Sequence, residues 1–245
     1  MPKEEVLNEI FSDLLEKYPE LENMIIYAKE FYIEDKRNID EIKNEIDLLT
    51  KKYELMETMV NKDINEDIAS KSILLIGPMG VGKSTVANKL SEKTNLERLS
   101  LDAEDILSDI YDNRDKFDNF KDFEFYLTVT VLTNINKPYI IDFGAGHSIY
   151  ENPLMFLEFK KLMSKFSNVV LLMPSENKEE SLEIINERIS KRNIERYQFD
   201  DNRHFIESPC NYEVATITEY TNNKNVDEIS DEILKQIEEK QKYGL

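Results

Sequence analysis

Gly77-Pro78-Met79-Gly80-Val81-Gly82-Lys83-Ser84 stands between an uninterrupted apolar run, Ile73-Leu74-Leu75-Ile76, and a segment from Lys83 to Leu90 whose apolar residues recur at helical spacing. A Gly-x4-Gly-Lys-Ser string flanked by a strand and a helix is a phosphate-binding loop, or P-loop. Its glycines, Gly77, Gly80 and Gly82, allow the backbone to turn successive N–H groups toward phosphate oxygens. The positive end of the following helix adds its own preference for anions. Lys83 is expected to bridge the β- and γ-phosphates and the Ser84 hydroxyl to sit on Mg²⁺, with Val81 and Thr85 completing the nucleotide-binding loop. The expected cofactors are ATP or GTP with Mg²⁺. The loop alone does not separate hydrolysis from phosphoryl transfer.

Downstream of the loop, apolar strands alternate with helical segments. Pro138-Tyr139-Ile140-Ile141 and Asn168-Val169-Val170-Leu171-Leu172-Met173 read as two further buried strands, and residues 83–94 as a helix. Fully apolar strands joined through helices predict a parallel sheet covered on both faces. The fold class expected is therefore α/β, a P-loop NTPase with three α/β/α layers, preceded by an all-helical N-terminal extension.

That extension is set apart by composition. Residues 1–70 hold 9 Lys and Arg against 19 acids, a net of −10, and contain no glycine. Val6, Ile10 and Leu14 share one helical face, and Ile39, Ile42, Ile46, Leu49, Tyr53, Met56 and Val60 step by three and four, a heptad seam about three repeats long. Such a stripe must be buried. An intramolecular hairpin or bundle is one solution; a homodimer or a partner protein held through these helices is another. Asn61–Ser70 is polar and reads as a linker, giving residues 1–68 as the extension and 69–245 as the P-loop body.

The whole chain of 245 residues carries a formal charge of −19. A nucleic-acid partner is not expected, because phosphate backbones need clustered Lys and Arg. No run approaches the ~18 apolar residues that cross a bilayer, and the acidic start lacks the basic and apolar regions of a leader, so no membrane partner and a cytoplasmic location are expected. The one cysteine, Cys210, can form no internal disulfide and reads as a half-buried thiol without a role.

A transferase of this kind needs a group to orient the acceptor hydroxyl, a carboxylate for the metal and arginines to offset transition-state charge. Asp102 follows the strand-like Leu99-Ser100-Leu101 and would emerge at the carboxyl edge of the sheet, where it either orients the acceptor or caps a helix over residues 103–111. Asp142 ends an apolar strand and is the candidate metal carboxylate; a turn-capping role is the alternative. Residues 187–196 are rich in arginine and read as a lid, with Arg188 a catalytic candidate and Arg192 a nucleotide contact, unless they form a solvated face paired with Glu187 and Glu195. In Asp142-Phe143-Gly144-Ala145-Gly146-His147-Ser148, Gly144 and Gly146 permit close approach of a ligand, while His147 and Ser148 offer hydrogen bonds to it or to the protein itself.

These residues resemble the shikimate kinases over about residues 72–237. Besides the P-loop, Phe120-Lys121-Asp122-Phe123-Glu124 resembles the family's Phe-Arg-x-x-Glu segment, Gly144-Ala145-Gly146 stands where the family has three glycines, and Ser208-Pro209-Cys210-Asn211-Tyr212-Glu213-Val214-Ala215 resembles its Pro-Leu-Tyr-x-Glu-x-Ala stretch. The resemblance implies an ATP-dependent kinase acting on a small-molecule hydroxyl, with Lys121 at the place of a substrate-binding arginine. The departures fall on the acceptor side. Ser100 replaces the first acid after the second strand, Lys121 an arginine, and Glu207 a second, carboxylate-binding arginine. Together they disfavour shikimate, which carries a carboxylate. The expectation is a kinase with a different acceptor; a nucleotide-binding regulatory module, or an NTPase with little transfer, is the alternative.

Overall fold

The structure, a computed structural model, describes residues 2–45, 58–103, 107–117, 119–191 and 200–243. Five strands form one parallel sheet: β1 (Ile73–Ile76), β2 (Glu97–Ser100), β3 (Tyr139–Asp142), β4 (Asn168–Met173) and β5 (Ile217–Tyr220), in the order β2-β3-β1-β4-β5. Every residue of β1 and β4 is buried. That is why these central strands read as unbroken apolar runs. Register sets the site: Leu75 of β1 and Ser100 of β2 both pair with Asp142 of β3, so that carboxylate stands at the strands' carboxyl ends beside the loop that leaves β1.

The N-terminal helices α1 (Lys3–Lys17) and α2 (Glu22–Glu34) form an antiparallel hairpin. Glu4 and Glu5 sit in the first turn of α1 and Lys17 in its last, each sign favoured by the helix dipole. Leu7 and Phe11 of α1 and Met24, Ile25, Ala28 and Tyr32 of α2 are buried in one apolar core continuous with that of the sheet. The hairpin stripe is thus covered by the chain's own body. Of the heptad seam, Ile42 and Val60 are fully buried, and Ile46, Leu49, Tyr53 and Met56 lie outside the described residues.

Part of the expected linker is helical. α3 (Glu66–Lys71) starts where the Asn65 side chain accepts from the N–H groups of Asp67 and Ile68, gains an Asp67–Lys71 ion pair, and buries Ala69. A good cap and a paired polar face, which look alike to a linker in sequence, supply the helix. α3 runs across the 68/69 boundary.

The helices that carry the site follow: α4 (Lys83–Thr94), the short α5 (Ser108–Tyr111), α6 (Phe120–Asn134), α7 (Pro153–Met163), α8 (Lys178–Ser190), α9 (Asp200–Glu207), α10 (Pro209–Val214) and α11 (Val226–Tyr243). Asn119, Asn152 and Asn177 cap α6, α7 and α8 through their side chains. α2 packs on α7 and α10. Among the described residues no helix is long and apolar enough to cross a membrane.

Candidate active site

The P-loop owes its shape to contacts with the sheet. Gly77 has φ +137°, and a Cβ there would run into the Leu172 carbonyl of β4, so only glycine lets the chain leave β1 at this angle. α4 begins after Gly82 with no side-chain cap, and Ser84 and Thr85 in its first turn are exposed. Its first N–H groups therefore face open space, the feature that makes a helix start an anion site. The Lys83 ammonium donates to the carbonyls of Gly77 (2.7 Å) and Pro78 (3.0 Å) across the loop. Burial pulls its pKa down to about 8, against the opposing influence of Asp142 and Asp102. An ammonium with this burial and neighbourhood fits a phosphate chain, which would restore the favourable field that desolvation removes.

Arg188, in the last turn of α8, approaches the Val81 carbonyl at 3.4 Å, and Ile189 packs over Gly80. This brings Arg188 onto the nucleotide side. Arg192 and the rest of the expected lid, through Arg196, lie outside the described residues.

A cavity of about 600 Å³ joins the loop to the acceptor side, bounded by Lys83, Ser84, Asp102, Glu124 and the turn from Phe143 to Gly146. Asp102 emerges just past β2, and its side chain is 66% exposed. The segment after it is helical only from Ser108 among the described residues, and the Asp102 carboxylate turns instead to His147. His147 is buried, with Nε2 3.4 Å from Asp102 Oδ1 and Nδ1 3.4 Å from the Thr128 hydroxyl. With a proton on Nε2 the ring donates to Asp102, while Nδ1 faces the Thr128 hydroxyl. The hydrogen bond from His147 holds the Asp102 pKa below the usual carboxylate range, helped by the Lys83 charge and opposed by partial burial.

Gly144 explains the turn. A Cβ on it would collide with the Asp102 carboxylate and the His147 ring. Gly146 is similarly pressed by the Glu124 carboxylate. These glycines serve the protein's own side chains, bringing Asp102, His147 and Glu124 against one turn. Lys121 donates to the Gly146 carbonyl (3.0 Å) and pairs with Glu124 (2.6 Å). Ser148 is buried with an unpartnered hydroxyl, so the turn withdraws it from the cavity.

Asp142 is buried near Lys83, and its Oδ2 accepts from Arg98 Nη2 at 2.6 Å. One carboxylate oxygen is thus committed to a guanidinium that sequence reading overlooked. The parity of β2 was the available signal, since Arg98 and Ser100 share a face. Among the described residues no three acidic, His or Cys side chains converge on a metal site. The exposed Ser84 hydroxyl on the cavity fits Mg²⁺ held largely by phosphate and water, whereas Asp142, the expected metal carboxylate, is buried, is not among the residues that bound the cavity and holds Arg98. The other overlooked feature is a chain of three elements: the Tyr27 hydroxyl of α2 meets His204 Nδ1 at 2.6 Å, and His204 Nε2 meets Glu151 at 2.7 Å. Burial raises the Glu151 pKa, but the hydrogen bond from His204 and the Lys121 charge bring it below the usual value, so Glu151 accepts and Tyr27 donates. Cys210 is fully buried, in contrast to the half-buried thiol expected.

A family model described as shikimate kinase matches residues 79–238. Among solved structures, a shikimate kinase from Acinetobacter baumannii in complex with shikimate is 22% identical, with a TM-score of 0.51 over 71% of this chain and 98% of that one. A gluconokinase from Sinorhizobium meliloti 1021 is 16% identical (TM-score 0.48, 70% and 93% covered), and a shikimate kinase from Bacteroides thetaiotaomicron 18% (0.48, 68% and 98%). No curated protein matches. At these identities the first superposition speaks for the fold, and the family model speaks for descent. Because that model reaches from the P-loop through the sheet to the closing helix, the chain belongs to the shikimate kinase family of P-loop small-molecule kinases.

Proposed function

We propose that the protein transfers the γ-phosphoryl group of ATP to a hydroxyl of a small acceptor other than shikimate. The observation that carries this reading is Asp102, an ionised carboxylate that faces the same cavity as Lys83 and is aimed by His147. Its lowered pKa makes it a weak base and a good hydrogen-bond acceptor. It orients the hydroxyl for in-line attack, and proton transfer follows bond formation. Lys83 offsets charge on the phosphate chain, and Arg188 adds a cation from the side of α8. Ser84 would hold Mg²⁺; the ion supplies charge neutralisation at the phosphate oxygens.

The replacement of two arginines by Lys121 and Glu207 supports the change of acceptor. Glu207 pairs with Arg203 at 2.7 Å, so the position presents no cation to the cavity. We also propose that α1 and α2 act within the monomer, as a cover on α7 and α10. The test of the reaction is ³¹P NMR on mixtures of the protein, Mg·ATP and hydroxylated metabolites. A phosphate monoester signal that needs both protein and acceptor is expected, with shikimate inactive. ATP hydrolysis unchanged by every acceptor would refute the transfer.

A further inference from the structure

The family model begins at residue 79, so the hairpin of α1 and α2 lies outside the matched region. One residue nevertheless ties it to the wall of the acceptor cavity. His204 of α9 accepts from the Tyr27 hydroxyl of α2 at Nδ1 (2.6 Å) and meets the Glu151 carboxylate through Nε2 (2.7 Å). Its ring centroid lies 6.0 Å from that of Tyr27 and 5.6 Å from that of Phe31, both on α2.

Both arms of this contact lead toward the cavity. Phe205, the next residue of α9, is one of the cavity's aromatic walls, and its ring lies 5.8 Å from that of His204. Glu151 follows Tyr150, whose hydroxyl donates to the His147 carbonyl (3.0 Å), and it lines a smaller cavity of about 260 Å³ together with Phe31 and Lys121. Lys121 in turn holds the Gly146 carbonyl. A helix of eight residues cannot fix its own position, and α9 depends on its neighbours. The buried Ile206, the Tyr212 hydroxyl on the Ile206 carbonyl (2.9 Å) and His204 supply that hold, whereas the Arg203–Glu179 pair is exposed and adds little. Of these, the His204 contact is the one made by the hairpin.

We propose that Tyr27 and His204 are positioning residues for the acceptor, through which the hairpin sets where α9 places Phe205 in the cavity wall. The proposal rests on the kinase reading above and adds the N-terminal hairpin to the acceptor site. A side-chain wall displaced by about 1 Å loosens the fit of a small acceptor, while the backbone cradle for ATP is untouched.

The chain contains no tryptophan, so full-length Phe205→Trp carries a single indole in the cavity wall. In that background Tyr27→Phe, which deletes one hydroxyl and keeps the ring, should raise the acrylamide quenching constant about twofold, and His204→Ala should raise it further. Tyr32→Phe is the control, since its hydroxyl, on the same helix, donates to Glu45 (2.9 Å) and its loss should leave the quenching unchanged. With Phe205 in place, saturating Mg·ATP and the metabolite that gains phosphate in the ³¹P experiment, Tyr27→Phe should raise the acceptor KM about fivefold, with kcat and calorimetric ATP affinity within about twofold. Phe205→Ala should raise that KM about tenfold, and Tyr27→Phe added to it should change nothing more, because the two act through one wall. Quenching that neither Tyr27→Phe nor His204→Ala moves, or that Tyr32→Phe moves equally, overturns the positioning role while leaving the kinase standing. So does an additive effect on KM, or a parallel loss of ATP affinity. An indole that responds as expected in a protein that phosphorylates no metabolite overturns the kinase reading and the acceptor role with it.

Discussion

The two halves of the cavity are built in opposite ways. The phosphate half is one continuous loop whose donors are backbone N–H groups and a single lysine, held by a turn that only Gly77 can make. The acceptor half is assembled from the end of β2, the start of α6 and the turn after β3, and its side chains are paired with each other: Asp102 with His147, Glu124 with Lys121 and Asp142 with Arg98. A backbone cradle binds any nucleoside triphosphate tail and tolerates little change. A web of side-chain pairs can be re-wired one partner at a time, which is where a family changes its substrate.

The largest effect that would sharpen this contrast is Lys83→Ala. It removes the cation of the phosphate half and should lower kcat by about 10³-fold or more, with ATP affinity weakened in calorimetry. Retained ATP affinity would break the assignment of the loop. Next comes Asp102→Asn, expected to reduce transfer about 100-fold while ATP affinity stays within about twofold; equal losses in both would make Asp102 a structural residue shared by the two halves. Gly144→Ala pushes a methyl group into Asp102 and His147 and should cost about 10-fold in acceptor kcat/KM, again without loss of ATP binding.

The smallest effect is confined to the phosphate half and appears with pH. Because the free protein's Lys83 titrates near 8 and bound phosphate favours its charged form, ATP affinity should be level below pH 8 and fall by up to tenfold per unit above it. Calorimetry in buffers of different ionisation enthalpy should record proton uptake on binding at pH 8 to 9. For folding the sign is reversed. The buried ammonium costs stability below pH 8, and that cost is relieved as pH rises toward the ordinary lysine value of 10.5.

Legibility in the sequence follows the same division. The bounds of β1, β4 and α4 can be read directly, because central parallel strands are uniformly apolar and the loop-to-helix signal is contiguous. β5 escapes notice: it is an edge strand whose inward position 219 is a glutamate, buried against Lys224 (2.6 Å) and Gln236 (2.9 Å). Its alternation therefore carries an acid where the rule asks for an apolar residue. Asp102, His147 and Lys121 are legible as candidates. Lys121 and Glu124 are neighbours on one helix, but the other pairings are not legible, since Lys121 and Gly146 lie 25 residues apart and Arg98 and Asp142 44 apart, and no local period links those. The Tyr27–His204–Glu151 chain spans still more of the sequence.

Cys210 gives this architecture a built-in clock. Its thiol is wholly buried, in contact with Met24 of the N-terminal hairpin at 3.5 Å and with Tyr150 behind it, and burial pushes its pKa up to about 12. A thiol so rarely ionised reacts with disulfide reagents or iodoacetamide only when the core around it, Met24 of α2 included, opens. As this is the chain's one cysteine, its labelling half-life times that opening without any engineered probe. Comparing that half-life with and without ATP measures how far events at the phosphate loop are felt at the hairpin.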